Sequence, residues 1–334
     1  FRKKMAEKNF KITSDYDLSI FKWFSGSRKN KKDNKITIKY GENPNQKAYY
    51  LTNSRTNLFT SQLGGKNLGY NNILDISDGI SCLKEFSEPT CVIIKHNNPC
   101  GIASANNIDR AYEKALASDP ISAFGGILLF NRGINTILAK KINSRFFEAI
   151  IAPKIHNKTL EILSMKKKLI IIDSDNLKNS NKELFRSVNS GILYQEENQY
   201  KITKSKIKLV SKKSASNEII EDLIFAFKVA KHVKSNAIVL ANNKQTLGIG
   251  AGQMSRLDST RMAIIKYKDF FKNRKFVCAS DAFFPFTDNI EILLKLRCKA
   301  IIQPSGSIND DKIIEFAKLK NTSLYFVKNR VFKH

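Results

Sequence analysis

The chain has 334 residues, 42% hydrophobic and 26% charged, which is enough to bury a substantial core in two compact units and excludes a disordered chain. No stretch approaches the roughly 20 consecutive apolar residues of a membrane span. The formal charge of +27 invites nucleic acid, but Lys outnumbers Arg 45 to 12. The lysines are scattered among Asn and Ile, without the Arg-and-aromatic stripe that reads or stacks bases. This argues against a nucleic-acid partner and leaves a basic surface that attracts small anions.

The five cysteines (Cys82, Cys91, Cys100, Cys278, Cys298) show neither paired nor metal-like spacing, so reduced thiols in a cytoplasmic protein are expected. The chain opens on Phe1 with no Met, basic n-region or apolar h-region. A fragment or processed chain is therefore expected rather than a secreted precursor.

In chain order, the spacing of Met5, Phe10, Tyr16, Ile20 and Phe21 predicts a helix over 1–24, followed by a polar linker at 26–34. A strand follows at 35–40. The apolar run ending in Lys95-His96 predicts a buried strand over 91–95, and Asn97-Asn98-Pro99-Cys100-Gly101 reads as a loop. Two proton-handling groups thus sit at a strand tip, where open α/β sheets gather their ligands. A solvated loop that happens to hold Lys and His is the competing reading.

A helix is expected over 108–116, then strands at 126–130, 149–151 and 169–172 with helices between them. Residues 173–210 turn polar and aperiodic, a candidate boundary. Beyond it come a helix (217–233), a strand (237–241), a hairpin turn at Asn242-Asn243-Lys244 and a returning strand (246–249). Helices at 255–271, 289–296 and 310–319 then alternate with strands at 276–279, 300–302 and 324–327. The alternation is that of a layered α/β fold in two lobes. A short echo, Ala117-Ser118-Asp119 with Phe124 against Ala279-Ser280-Asp281 with Phe283, points to duplication and to similar strand ends facing one site.

Three segments carry candidate chemistry. Gly248 to Arg256 is glycine-rich and leads into a helix, so its glycines either serve a structural turn or let the backbone approach a ligand closely, the latter favoured by Arg256, which suits a carboxylate or phosphate. It fails as a dinucleotide fingerprint for want of a third glycine at the required spacing. Phe283, Phe284 and Phe286 lie in a loop that either walls a flat ligand or folds into the core. Pro304-Ser305-Gly306-Ser307 joins a strand to a helix, suiting anion contacts or a plain N-cap at Ser307. A deaminase-type zinc site requires H-x-E and P-C-x-x-C. Asn98 and Ala103 stand where Glu and the second Cys are needed, so no such site forms.

Together these segments resemble one family, the transformylase region of the bifunctional AICAR transformylase/IMP cyclohydrolase of purine biosynthesis. The resemblance is carried by Lys39-Tyr40-Gly41-Glu42-Asn43-Pro44, Tyr70-Asn71-Asn72, Lys95 to Gly101, Ser118 to Gly126 and Ile150-Ile151-Ala152-Pro153. It continues through Lys234-Ser235-Asn236-Ala237, Gly248 to Arg256, Ser280 to Asn289, Pro304 to Ser307 and Arg330-Val331-Phe332. It covers about 36–334. Residues 1–35 resemble the end of the cyclohydrolase domain plus a linker, and the two lobes are expected over 36–205 and 206–334.

The resemblance implies an α/β fold of two similar cytidine-deaminase-like α/β/α lobes, a homodimer with shared sites, and transfer of a formyl group from 10-formyltetrahydrofolate to the 5-amino group of AICAR without a metal. It implies that His96 accepts the amine proton, that Lys95 stabilises charge on the formyl oxygen, and that Asn236 binds the nucleotide and orients the transferred group. Lys39, Tyr40, Gly125, Glu148, Arg256 and Arg330 fall on nucleotide positions. Phe124, Leu257, Phe283, Asp288, Ser305 and Gly306 fall on the folate side. Lys39 replaces the family's usual Arg, turning a bidentate contact into a point charge, and Glu148 replaces a common Asp. Both keep the charge. A noncatalytic folate- or nucleotide-binding remnant is the alternative.

Overall fold

The computed structural model describes residues 1–24, 35–52, 54–175, 177 and 183–334. The chain divides into two compact units, Phe1–Arg55 and Thr56–His334. The first holds α1 (Arg2–Phe24) and an antiparallel pair, β1 (Lys35–Ile38) and β2 (Ala48–Leu51). The linker expected at 26–34 lies outside the described residues.

The second unit opens with β3 (Gln62–Gly64) and α2 (Tyr70–Leu83). It continues through β4 (Thr90–Lys95), β5 (Asn98–Ser104), α3 (Ile108–Ser118), β6 (Ile127–Phe130), α4 (Thr136–Asn143), β7 (Ala149–Ala152), α5 (Asn157–Ser164) and β8 (Ile170–Asp173). The polar stretch after β8 carries an exposed hairpin, β9 (Glu183–Val188) with β10 (Gly191–Glu196), and then β11 (Lys208–Leu209). The remainder is α6 (Asn217–Ala230), β12 (Ile238–Asn242), β13 (Gln245–Gly250), α7 (Arg256–Phe271), β14 (Phe276–Ser280), α8 (Asp288–Leu294), β15 (Cys298–Pro304), α9 (Asp310–Leu319) and β16 (Ser323–Val327).

From α2 to β8 and again from α6 to β16 the order is helix, hairpin, then three helix-to-strand steps, so the unit is built twice. The strand orders 5-4-6-7-8 and 13-12-14-15-16 match as well. Among the described residues all join one twelve-stranded mixed sheet, the lobes meeting where Gln245 of β13 pairs with Ala103 of β5.

Strand alternation divides the core. Val92 and Ile94 of β4 face one side, while Cys91 and Ile93 face the other. On the first side α2 and α6 cover one core that runs across both lobes, with Ile76, Leu223 and Phe227 in it. On the other, α3, α4 and α5 bury Tyr112, Leu138 and Leu163, and α7, α8 and α9 bury Ile264, Ile290 and Ile313. Each fully buried aliphatic or aromatic side chain contributes about 1.5–3 kcal/mol.

Four expectations are corrected. Asn98 to Gly101 is strand, not loop: β4 and β5 form a hairpin closed by His96 and Asn97, and the register shift between Ile93 and Ile94 lets Pro99 sit inside β5 without a ladder donor. Gly248 and Gly250 lie within β13, where a Cβ would stand 2.1 Å from the Ala263 carbonyl oxygen and 1.8 Å from that of Ser259. These glycines serve close packing of α7 on the sheet, not ligand approach. The Ser-Asp echo is out of register, because Ser118 ends α3 before β6 while Ser280 ends β14, the counterpart of β6. The N-cap of α9 is Asn309, and Ser307 only accepts from its amide at 3.1 Å.

Candidate active site

One edge of the large sheet gathers most of the predicted residues. Because β4 runs antiparallel to β6, the end of β4 at Lys95 lies beside the start of β6, which Gly125 precedes, and the parallel β7 brings Glu148 to the same edge. From the other lobe come the start of β12, after Asn236, and the end of β13, leading to Arg256. The ends of β14, β15 and β16 add Phe283, Ser305, Gly306 and Arg330. The first lobe therefore offers the amino ends of its parallel strands and the second lobe the carboxyl ends.

His96 and Asn97 occupy the two central positions of the β4–β5 turn, with φ of 53° and 60°. Positive φ at both positions defines a type I′ turn, usually built from Asn-Gly. A non-glycine residue held there costs on the order of 1–3 kcal/mol. The turn lifts the exposed imidazole off the sheet edge. Lys95, half-buried at the strand end, donates from Nζ to the Phe124 carbonyl at 2.8 Å. Phe124 itself is 64% exposed, its ring 5.2 Å from that of Phe146. Gly125 takes φ of 71° and donates its amide to the Phe146 carbonyl at 3.0 Å, a backbone geometry that suits glycine.

Across the seam, the Asn98 side-chain oxygen accepts from the Lys234 amide at 2.9 Å, tying the start of β5 to the segment before β12. The Ser235–Asn236 peptide there is cis. Asn236 donates from Nδ2 to the carbonyls of Gln253 (2.8 Å) and Met254 (3.1 Å), and its Oδ1 accepts from Arg256 at 2.7 Å. Arg256 is buried and also donates to Ser280 Oγ at 2.9 Å and to the fully buried Asp281 carboxylate. Part of its fork is thus used by the protein itself.

Glu148 pairs with Lys66. On the second lobe's edge Phe283 is half-buried, Phe284 enters the core and Phe286 is exposed, so the aromatic loop divides between core and surface. Leu257 is half-buried in the first turn of α7, and Asp288 begins α8, accepting from the Asn289 amide at 2.7 Å. Ser305 and Gly306 are exposed, Gly306 with φ of 114°. Arg330 lies over the Phe332 ring at 4.8 Å. Lys39 and Tyr40 belong to the other compact unit, where the Lys39 ammonium stands 5.8 Å from the Tyr40 ring centre.

Several partners escaped sequence reading. Asp119 accepts from the Ser122 amide at 2.9 Å and from Lys266 of α7 at 2.8 Å, bracing the loop that carries Phe124. Burial pushes the Asp119 pKa up, yet the Lys266 and Ser122 donors outweigh it and hold the carboxyl below its ordinary value. Asp281 accepts from Ser235 Oγ at 2.6 Å as well as from Arg256. Asp75 and Asp78 of α2 lie against the His96-Asn97 turn. Each of these is a polar residue spaced like any other surface residue, and only the fold brings its partner near.

A crevice of about 150 Å³ follows the seam between the lobes, lined by Cys100, Asp119, Gly248 and Lys266 among others. It is too small for a nucleotide. Burial pushes the Cys100 thiol up to about 12, so it holds no thiolate near neutrality. A shallow hollow of about 840 Å³ between the starts of α4 and α5 lies on the opposite edge and includes none of the predicted residues. Among the described residues no cluster of three or more His, Cys, Asp or Glu is placed to hold a metal ion, and no helix is long and apolar enough to cross a membrane.

The fold and site define a duplicated α/β/α protein whose lobes place a Lys-His strand tip and an Arg-Asn-Asp cluster on one sheet edge. The model of the AICARFT/IMPCHase bienzyme family matches residues 1–266, and the chain belongs to that family. It is 44% identical to a "Bifunctional purine biosynthesis protein PurH" of Caldicellulosiruptor bescii, covering 99% of this chain and 67% of the relative. Proteins of the same name from Fusobacterium nucleatum and Staphylococcus aureus are 44% and 38% identical over all of this chain and 67% of their own length. The chain thus spans about two thirds of the length of these relatives.

Proposed function

We propose that this chain is the formyl-transferring part of a bifunctional purine-biosynthesis enzyme, passing the formyl group of 10-formyltetrahydrofolate to the 5-amino group of AICAR. What supports the reading is one observation: an exposed His96 beside Lys95 on the same sheet edge as Asn236 and Arg256, in a chain of the AICARFT/IMPCHase family.

The acceptor amine is weakly nucleophilic because its lone pair is delocalised into the ring and carboxamide. As its nitrogen bonds to the formyl carbon, His96 takes the amine proton. The Lys95 ammonium stabilises the negative charge that develops on the formyl oxygen. The bond from that carbon to N10 then breaks, N10 takes a proton, and tetrahydrofolate leaves. Asn236, Arg256, Gly125, Glu148, Lys39, Tyr40 and Arg330 would hold the nucleotide. Phe124, Leu257, Phe283, Asp288, Ser305 and Gly306 would hold the folate.

In the same reading 1–35 closes a cyclohydrolase domain, 36–205 and 206–334 are the two transformylase lobes, and the protein works as a cytoplasmic homodimer. The relatives are named bifunctional purine biosynthesis proteins, and the family is a bienzyme of AICAR transformylase and IMP cyclohydrolase, so the whole protein would also act as a cyclohydrolase.

The test is a formyl-transfer assay with both substrates, following release of tetrahydrofolate. Wild-type chain should turn over, and His96→Ala should lose about 10²–10⁴-fold in rate while still binding AICAR in calorimetry. Equal turnover by His96→Ala defeats the mechanism. A wild-type chain that binds either substrate but transfers nothing favours the noncatalytic remnant.

A further inference from the structure

We propose that Asp75 is a positioning residue for His96, its carboxylate clamping from below the type I′ turn that presents the imidazole. The proposal rests on the formyl-transfer reading of His96.

The turn needs holding because neither of its central residues is glycine and both have positive φ. Asp75 of α2 supplies the restraint: its Oδ1 accepts from the Asn97 amide at 2.6 Å. The Asn97 side chain is fixed in turn, donating from Nδ2 to Asp78 Oδ2 at 3.0 Å. Lys333, from the chain's end, pairs with Asp78 at 3.0 Å and reaches the Asn97 carbonyl at 3.5 Å. The exposed imidazole therefore stands on a turn whose backbone is tied to a packed helix.

The second lobe contains the same device without the histidine. Asp222 occupies the matching place in α6 and accepts from the amides of Asn243 and Lys244 at 2.8 Å each. Those two residues close the β12–β13 hairpin with φ of 51° and 50°. The bonds from Asp75 to Asn97 and from Asp222 to Lys244 span the same 22 residues. The clamp is thus part of the duplicated fold, and in the first lobe it carries His96. The two hairpin tips point to opposite sheet edges, so the Asp222 clamp lies away from the site.

The Asp75 carboxylate also sits in a charged setting. Burial pushes its pKa up, the Asn97 amide and His96 pull it down, and Asp78 on the same helix pushes it up again. Lys333 spends its charge on Asp78. The carboxylate that clamps the turn is thus held between the Asn97 amide and the Asp78–Lys333 pair.

Four proteins test this: wild type, Asp75→Ala, Asp75→Asn and Asp222→Ala. Asp75→Ala should lower kcat by about 100-fold, the scale of a misplaced catalytic group, with KM for AICAR little changed. Asp75→Asn keeps an acceptor oxygen for the Asn97 amide but loses the charge, so its kcat should lie between those of wild type and Asp75→Ala. Asp222→Ala should keep wild-type kcat and pH profile. In hydrogen exchange read by mass spectrometry, peptides over 92–99 should exchange faster in Asp75→Ala and those over 239–246 faster in Asp222→Ala.

Equal loss of kcat in Asp75→Ala and Asp222→Ala would make the clamp merely structural and overturn the proposal. If Asp75→Ala does not fold, a kcat of Asp75→Asn equal to that of wild type overturns it. The exchange arm does not depend on turnover: unchanged exchange over 92–99 removes the clamp, whereas an inactive wild type removes the reading of His96 instead.

Discussion

Arg256 donates to the Asn236 side-chain oxygen at 2.7 Å, and this bond fixes an orientation that Asn236 could not hold alone. With its Oδ1 on the guanidinium, the Asn236 amide nitrogen is aimed at the Gln253 and Met254 carbonyls. Ser259, one turn further along α7, donates to the Asn236 carbonyl at 2.7 Å. The far part of the same helix holds Asp119 through Lys266, and with it the loop whose Phe124 carbonyl receives Lys95. One helix of the second lobe thereby braces groups from both lobes.

Arg256→Lys should separate binding from stability. An ammonium keeps a point charge on Asp281 but cannot also span to Asn236. On the formyl-transfer reading, KM for AICAR should rise by about tenfold, the size of one lost charge-assisted hydrogen bond, with a small change in urea midpoint. Arg256→Met leaves the Asp281 carboxylate buried and unpaired, which costs about 3–5 kcal/mol. Steady-state kinetics beside urea unfolding checks both, and a lysine variant matching wild type in KM would show that the fork does not matter.

The glycines of the β13 segment give a second contrast. Gly248→Ala places a methyl 2.1 Å from the Ala263 carbonyl oxygen, and backbone cannot yield as a side-chain tip can. The expected loss is on the order of 3 kcal/mol, the upper range for overpacking. Gly252, with φ of 67° and nothing within 4 Å of a built Cβ, meets only the left-handed penalty, so Gly252→Ala should lose about 1–2 kcal/mol. Thermal unfolding of the two variants decides, and a larger loss at Gly252 would contradict the packing role.

How much could be read in advance depended on whether the determining contact was local. The alternation of apolar strands and amphipathic helices is local, so the layered fold was legible, α9 over Asp310–Leu319 matched residue for residue, and the Asn243-Lys244 turn was found by its type. The matching turn at His96-Asn97 reads as a loop, because neither residue is glycine and Pro99 follows. Its cause, the Asp75 carboxylate, lies on another helix. For the same reason the sequence presents Arg256 as available to a ligand. Nothing in the order of residues announces that Asp281 and Asn236 would share its fork. The duplication was sensed through the wrong residues, and its better mark, an aspartate ahead of each hairpin turn, uses residue types too common to stand out.

Acid should weaken the junction between α2 and α6. There His232 and Lys231 meet Glu85 at 3.4 and 2.8 Å, all three side chains nearly buried. Burial pushes the His232 pKa below its ordinary value, with Glu85 opposing. The unfolded chain therefore binds a proton at His232 more readily than the folded one, and stability is lost as pH falls below about 6.5, the unperturbed histidine value. For Glu85, burial pushes up but the His232 and Lys231 hydrogen bonds win and hold it low, so its contribution disappears at more acid pH. Asp75 and Asp222 are raised chiefly by burial and work in the opposite sense, binding protons more readily when folded. That places the clearest His232 effect just below neutrality, before the carboxyls titrate. Urea unfolding between about pH 7.5 and 5.5, around the ordinary histidine value, should show stability falling with a slope of up to about 1.4 kcal/mol per pH unit for one proton. In His232→Gln that slope should flatten, and an unchanged slope would mean that the buried histidine is not the group responsible.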